Sequence, residues 1–105
     1  MLLQLNGGIE FDPQKRMETL LNRGLDFARA PEMFAQAIHT LEDVRKNYGE
    51  LRLITLGFLD DRLTVIVWTP RGQRKRIISM RYANEREIKA YQQFMGDRKS
   101  TRLNS

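Results

Sequence analysis

The residues of this chain that can do chemistry are mostly cations. Arg81, Arg76, Lys15, Arg71, Arg74, Lys75 and Arg52 are fixed guanidinium and ammonium groups, suited to gripping phosphate and to stabilising negative charge that develops on it. Arg71, Arg74 and Lys75 cluster at an expected hairpin, where they can track a phosphate backbone, although hairpin tips are polar for ordinary reasons as well. Trp68 carries an indole that either stacks on a base or packs. Glu87 and Tyr91 stand one helical turn apart, so either can move a proton, while Tyr91 also suits a core position with its hydroxyl wet. His39 is the single histidine, beside Ile38 at an expected strand start, and is read as structural. No metal-ligand cluster, phosphate-cradling glycine loop or complete Ser-His-Asp set outside His39 emerges, so no cofactor or metal is expected.

These residues sit on a chain of 105, the length of one domain, with a formal net charge of +5. There is no cysteine, which removes disulfides and thiolate metal sites and makes the cytoplasm the default compartment. The apolar start at Met1-Leu2-Leu3 stops by Asn6, too short for a signal core or a membrane span, and no membrane partner is expected. Residues 97–105 read D-R-K-S-T-R-L-N-S, which matches a frame of a common sequencing-library adapter codon for codon and is set aside as an assembly artefact. That removes three basic residues and one acidic residue, and the net charge falls from +5 to +3. Residues 1–8 are then a variable extension and 9–96 the domain.

The elements that must position the cations follow from caps and periodicity. A short strand at Ile9–Phe11 leads to a helix with Asp12 as cap and Pro13 at its first position; Met17, Leu20 and Leu21 form its core face and Gly24 stops it. Asp26 caps a second, short helix with Phe27, Ala30, Met33 and Phe34 as apolar residues. A strand around Ile38–Asp43 precedes three β-rich runs, Leu51–Leu59, Arg62–Thr69 and Arg74–Tyr82, whose short connections make an antiparallel meander. Asn84 caps a closing helix with Ile88, Tyr91 and Phe94 as its stripe.

A two-residue turn at Asp60-Asp61 sets Leu59 opposite Arg62 and Leu56 opposite Val65, and the next hairpin is expected to set Thr69 opposite Arg74. One face then carries Ile54, Leu56, Phe58, Leu63, Val65, Val67, Ile78 and Met80, and is the expected seat of the helices. The other carries Leu53, Thr55, Gly57, Thr64, Ile66, Trp68, Lys75, Ile77, Ser79 and Arg81, a mixed surface that places Trp68 and Arg81 together. Arg76 falls on the core side of an unbroken strand, so either a bulge re-aims it or it snorkels from the edge.

In order and spacing, I-E-F-D-P-Q-K from Ile9, R-G-L-D-F from Arg23, T-L-E-D-V-R-K-N-Y-G-E from Thr40 and R-I-I-S-M-R-Y-A-N-E-R-E from Arg76 resemble the BrnT family, over about Ile9 to Tyr91. The resemblance implies an α+β, RelE-like fold: an antiparallel sheet with two N-terminal helices on one face and a C-terminal helix. It also implies metal-independent RNA cleavage that blocks translation. The implied partners are RNA and a BrnA-like, ribbon-helix-helix antitoxin, with operator DNA reached only through that antitoxin. Arg81 matches the arginine of the family's S-x-R motif, and would grip the scissile phosphate unless it is simply paired with Glu85 or Glu87. Arg76 also matches a motif position, as does Lys15 in D-P-x-K, on a first helical turn where the dipole disfavours a cation. Where the family usually has Lys-His-Gly this chain reads Asn22-Arg23-Gly24, and a guanidinium stays protonated at neutral pH. The alternative is therefore a catalytically weakened toxin that acts as an antitoxin-binding co-repressor.

Overall fold

A computed structural model describes the backbone of residues 4–6 and 8–103 and the side chains of residues 8–95. Residues 1–3 and 7 of the 1–8 extension, residues 104–105 and the side chains of the 97–105 tail lie outside the described residues. In chain order the elements are β1 (Gln4–Asn6), β2 (Ile9–Phe11), α1 (Pro13–Arg23), a 3₁₀ turn (Phe27–Arg29), α2 (Ala30–Ala35), β3 (Ala37–Glu42), β4 (Leu53–Leu59), β5 (Arg62–Arg71), β6 (Arg74–Tyr82) and α3 (Glu85–Leu103).

The caps act as their residue types dictate. The Asp12 carboxylate accepts from the Gln14 N–H at 3.0 Å, and Gly24 closes α1 at φ 70°, a conformation that costs glycine nothing. Asp26 accepts from the Ala28 N–H at 2.9 Å and opens the 3₁₀ turn. Asn84 and Glu87 form a reciprocal capping box, each side chain accepting from the other's backbone N–H at 2.8 and 2.9 Å.

The strands form one sheet in the order β1-β2-β6-β5-β4-β3. It is mixed, which corrects the expected antiparallel sheet: β2 runs parallel to β6, a pairing that the long intervening chain permits. Asp60 and Asp61 both adopt positive φ, and this two-residue turn sets Leu59 opposite Arg62 and Leu56 opposite Val65 as expected. The second hairpin turns more tightly than expected. Arg71 pairs with Arg74 and Thr69 with Arg76, so the proposed pairing of Thr69 with Arg74 is corrected.

The expected core face is also corrected. The N-terminal helices pack on the opposite side of the sheet, where Phe11, Leu25, Phe27, Ala30 and Met33 close over Leu59, Ile66, Ile77 and Met80. The physical reason lies in the small residues at the centre of that side. Thr55 and Thr64 are buried there, and a Cβ at Gly57 would stand 2.4 Å from the Met33 sulfur, so only glycine lets α2 come this close. These residues are the seat of α2, not the floor of an open surface.

A β-bulge completes the rearrangement. Val67 faces Ser79 while Trp68 faces Ile77, which leaves Ile78 as the extra residue and inverts the alternation of β6 beyond it. Trp68 and Ile77 point to the helices; Arg76, Ser79 and Arg81 share the other side with Val65, Val67 and Leu56. That second side is covered in part by α3, whose Tyr91 ring meets Phe58 edge-on at 5.7 Å between centroids. The expected core face of α1 is turned outward instead, with Met17 55% and Leu21 76% exposed. The helix presents Lys15, Glu18, Thr19 and Asn22 towards β6, so the seam between them stays polar and open.

Candidate functional site

Lys15 at the start of α1, Arg52 just before β4, Arg71 at the end of β5 and Arg76 on β6 meet Asp12 and Glu50 around one open hollow of about 260 Å³. Separate elements deliver these groups, and the bulge at Ile78 lets Ile77 and Ile78 both line the wall. The hollow continues into a second one of about 220 Å³ that shares Lys15 and Ile78 and adds Glu18, Asn22, Arg23 and Ser79. Together they make a polar groove along the α1–β6 seam.

Carboxylates and cations alternate in the first hollow. Glu50 accepts from the Arg71 Nη2 at 3.0 Å and from the Arg52 Nε at 3.4 Å, while the Arg52 guanidinium lies 4.1 Å from the Tyr48 ring centroid. The segment carrying Glu50 and Arg52 is pinned at its base. The buried Asp43 carboxylate accepts from the Arg45 Nε and Nη2 at 2.8 and 2.7 Å and from the Tyr48 hydroxyl at 3.1 Å. Hydrogen bonding to Arg45 holds the Asp43 carboxyl far below the usual carboxylate range, against the opposing effect of its own desolvation. The Asp43 N–H donates to the Arg52 carbonyl at 2.8 Å, and the Thr69 hydroxyl donates to the Leu51 carbonyl at 2.7 Å, so both ends are tied to the sheet.

Arg23 lines the second hollow and donates from Nη1 to the Met80 carbonyl at 3.0 Å. It therefore occupies the groove as a fixed cation.

Arg81 lines neither hollow. It is held by Glu87 through bonds of 2.7 and 2.8 Å, and Glu87 also accepts from the Asn84 N–H. Arg81 keeps the Glu87 carboxyl below its ordinary value, so at neutral pH this group is an anion with three donors around it. Trp68 lies beneath α2: its Nε1 donates to the Thr55 hydroxyl at 2.8 Å and its ring meets Phe34 edge-on. The expectation that Trp68 and Arg81 share a surface is thus corrected, because the bulge sends them to opposite faces. Lys75 sits over the Trp68 and Phe34 rings, on the helix side, and Arg74 is exposed at the hairpin. His39 is exposed on β3 and lines a different, apolar groove with Leu56, Glu87 and Tyr91.

The structure therefore gathers Lys15, Arg52, Arg71 and Arg76, with Arg23 adjoining, and leaves Arg81, Glu87 and Tyr91 as a separate cluster. Sequence reasoning did not single out Glu50. The available signal was the Glu50-x-Arg52 spacing within the motif that ends at Tyr48-Gly49-Glu50.

A small basic α+β domain with such a groove defines the class of protein. Within that class the chain belongs to a known family: the model of the ribonuclease toxin BrnT of type II toxin–antitoxin systems matches residues 11–87. Membership implies an RNA substrate and an antitoxin partner. No curated protein matches the chain. Among the described residues no helix is long and apolar enough to cross a membrane, and no group of three or more His, Asp or Glu side chains is placed to hold a metal ion.

Proposed function

We propose that the chain is an endoribonuclease toxin that cleaves RNA by attack of a ribose 2′-hydroxyl on the adjacent phosphate. The observation that carries this reading is the convergence of Lys15, Arg52, Arg71 and Arg76 on one hollow at the end of a polar groove. A phosphodiester seated there meets cations from several elements, already oriented before the phosphorane charge appears. The groove past Lys15 to Arg23 and Ser79 is the path for the flanking nucleotides. This assigns the phosphate grip to Arg76 and Lys15 and gives Arg81 a supporting role at the α3 junction. A ribbon-helix-helix antitoxin, co-repression of the operon through it and a cytoplasmic site of action complete the proposal.

Induced expression without an antitoxin should arrest growth, and the purified chain should cut single-stranded RNA in the presence of a chelator. Arg76→Ala should lower the single-turnover rate by about 100-fold or more, as loss of one transition-state donor does. RNA left intact by the wild-type chain, on and off ribosomes, would overturn the reading.

A further inference from the structure

Resting on that reading, we infer that Glu50 accepts the proton of the attacking 2′-hydroxyl. The attack requires a base beside the phosphate, and the arginines of the hollow cannot serve, because guanidinium groups stay protonated at neutral pH, while Lys15 is assigned as the proton donor of the same step. His39 and Glu87 line the separate apolar groove formed by β3, β4 and α3, outside the cationic hollow, and Glu87 is held there by Arg81 and the Asn84 N–H. Two carboxylates line the cationic hollow, Asp12 and Glu50. Asp12 is committed to capping α1, where its side chain accepts from the Gln14 N–H. Glu50 accepts from Arg71 on one oxygen and from Arg52 on the other, and each oxygen keeps a lone pair for a new donor.

The same arginines tie the base to the substrate. An RNA phosphate entering the hollow competes with Glu50 for Arg71 and Arg52, and each bond it takes from the carboxylate leaves an oxygen open to the 2′-hydroxyl. The step balances without a cofactor. The 2′-oxygen bonds to phosphorus as its proton passes to Glu50, the P–O5′ bond breaks, and the leaving 5′-oxygen takes a proton from the Lys15 ammonium. The products are a 2′,3′-cyclic phosphate and a 5′-hydroxyl, and water returns a proton from Glu50 to Lys15.

The test is single-turnover cleavage of a short RNA by the wild type and by Glu50→Gln, Glu50→Asp and Glu50→Ala, with binding measured on a 2′-deoxy analogue that cannot be cut. Glu50→Gln should slow cleavage by about 100-fold or more and flatten the acid limb of the pH–rate profile, while binding changes by less than about threefold. Glu50→Asp should retain part of the rate, and added formate should restore Glu50→Ala in proportion to its concentration. Wild-type cleavage with Glu50→Gln equally fast, or an inactive Glu50→Ala that formate does not rescue, would overturn the assignment of Glu50 alone. A wild-type chain that leaves RNA intact would overturn the nuclease reading and this inference with it.

Discussion

Arg81 of β6 and Glu87 of α3 are joined fork to fork, through two N–H···O bonds of 2.7 and 2.8 Å. Glu87 is also half of the capping box that starts α3, so one carboxylate both nucleates the helix and fastens it to the sheet.

Arg81→Ala should therefore act on stability. The two side chains are 36% and 30% exposed, so solvent screening limits their coupling to about 1 kcal/mol in a double-mutant cycle with Glu87→Ala. Because the folded Glu87 carboxyl is depressed, this contribution is present above the ordinary carboxylate range and lost as pH falls through the folded value. Urea midpoints at neutral and acid pH measure both, and RNA cleavage by Arg81→Ala should stay within about threefold of wild type. A 100-fold loss of cleavage with stability unchanged would return Arg81 to the reacting centre.

Asp43 anchors the segment that presents Glu50 and Arg52. Asp43→Asn keeps its volume but removes the charge that Arg45 and the Tyr48 hydroxyl address, and should cost about 1–3 kcal/mol. Its folded carboxyl is depressed, so the wild-type contribution holds above the ordinary carboxylate range and disappears only in strong acid. Thermal unfolding against pH should show the wild type and variant converging at the acid end. Parallel curves would mean that the charge of Asp43 does not matter.

Gly57→Ala tests the seat of α2. The added methyl would lie 2.4 Å from the Met33 sulfur and 3.0 Å from the Met33 and Gln36 carbonyl oxygens. Met33 can move but the carbonyls belong to the chain of α2 and its cap, so a loss of about 1–3 kcal/mol is expected, with Met33→Ala relieving only part of it. A neutral Gly57→Ala in urea unfolding would show that α2 is free to retreat.

Arg23→His asks what the departure from the family triplet does. The substitution forfeits the bond to the Met80 carbonyl and places an imidazole beside the groove. If Glu50 is the base, the cleavage rate should change by less than about tenfold. A rise of about 100-fold or more, the usual contribution of a well-placed acid or base, would mark the wild-type chain as a weakened nuclease serving mainly as an antitoxin-binding co-repressor.

Much of this protein was legible from local chemistry. Asp12, Gly24, Asp26 and Asn84 act on backbone groups within a few residues of themselves, so helix starts and stops follow from residue type. The Asp60-Asp61 turn fixes the β4–β5 register for the same reason: two residues leave one way to close the hairpin. The family motifs and the stock of cations are likewise properties of the chain itself.

Tertiary structure decided which surface those cations occupy. Both faces of the meander are apolar enough to receive helices, and the choice turned on the room that Gly57, Thr55 and Thr64 leave for α2. One extra residue at Ile78 then separated Arg81 from Trp68, because the period of a strand is two and a single insertion reverses everything beyond it. The meeting of the Glu50-x-Arg52 pair with Arg71, Arg76 and Lys15 depends on contacts between segments far apart in the chain, for which spacing along the sequence carries no signal.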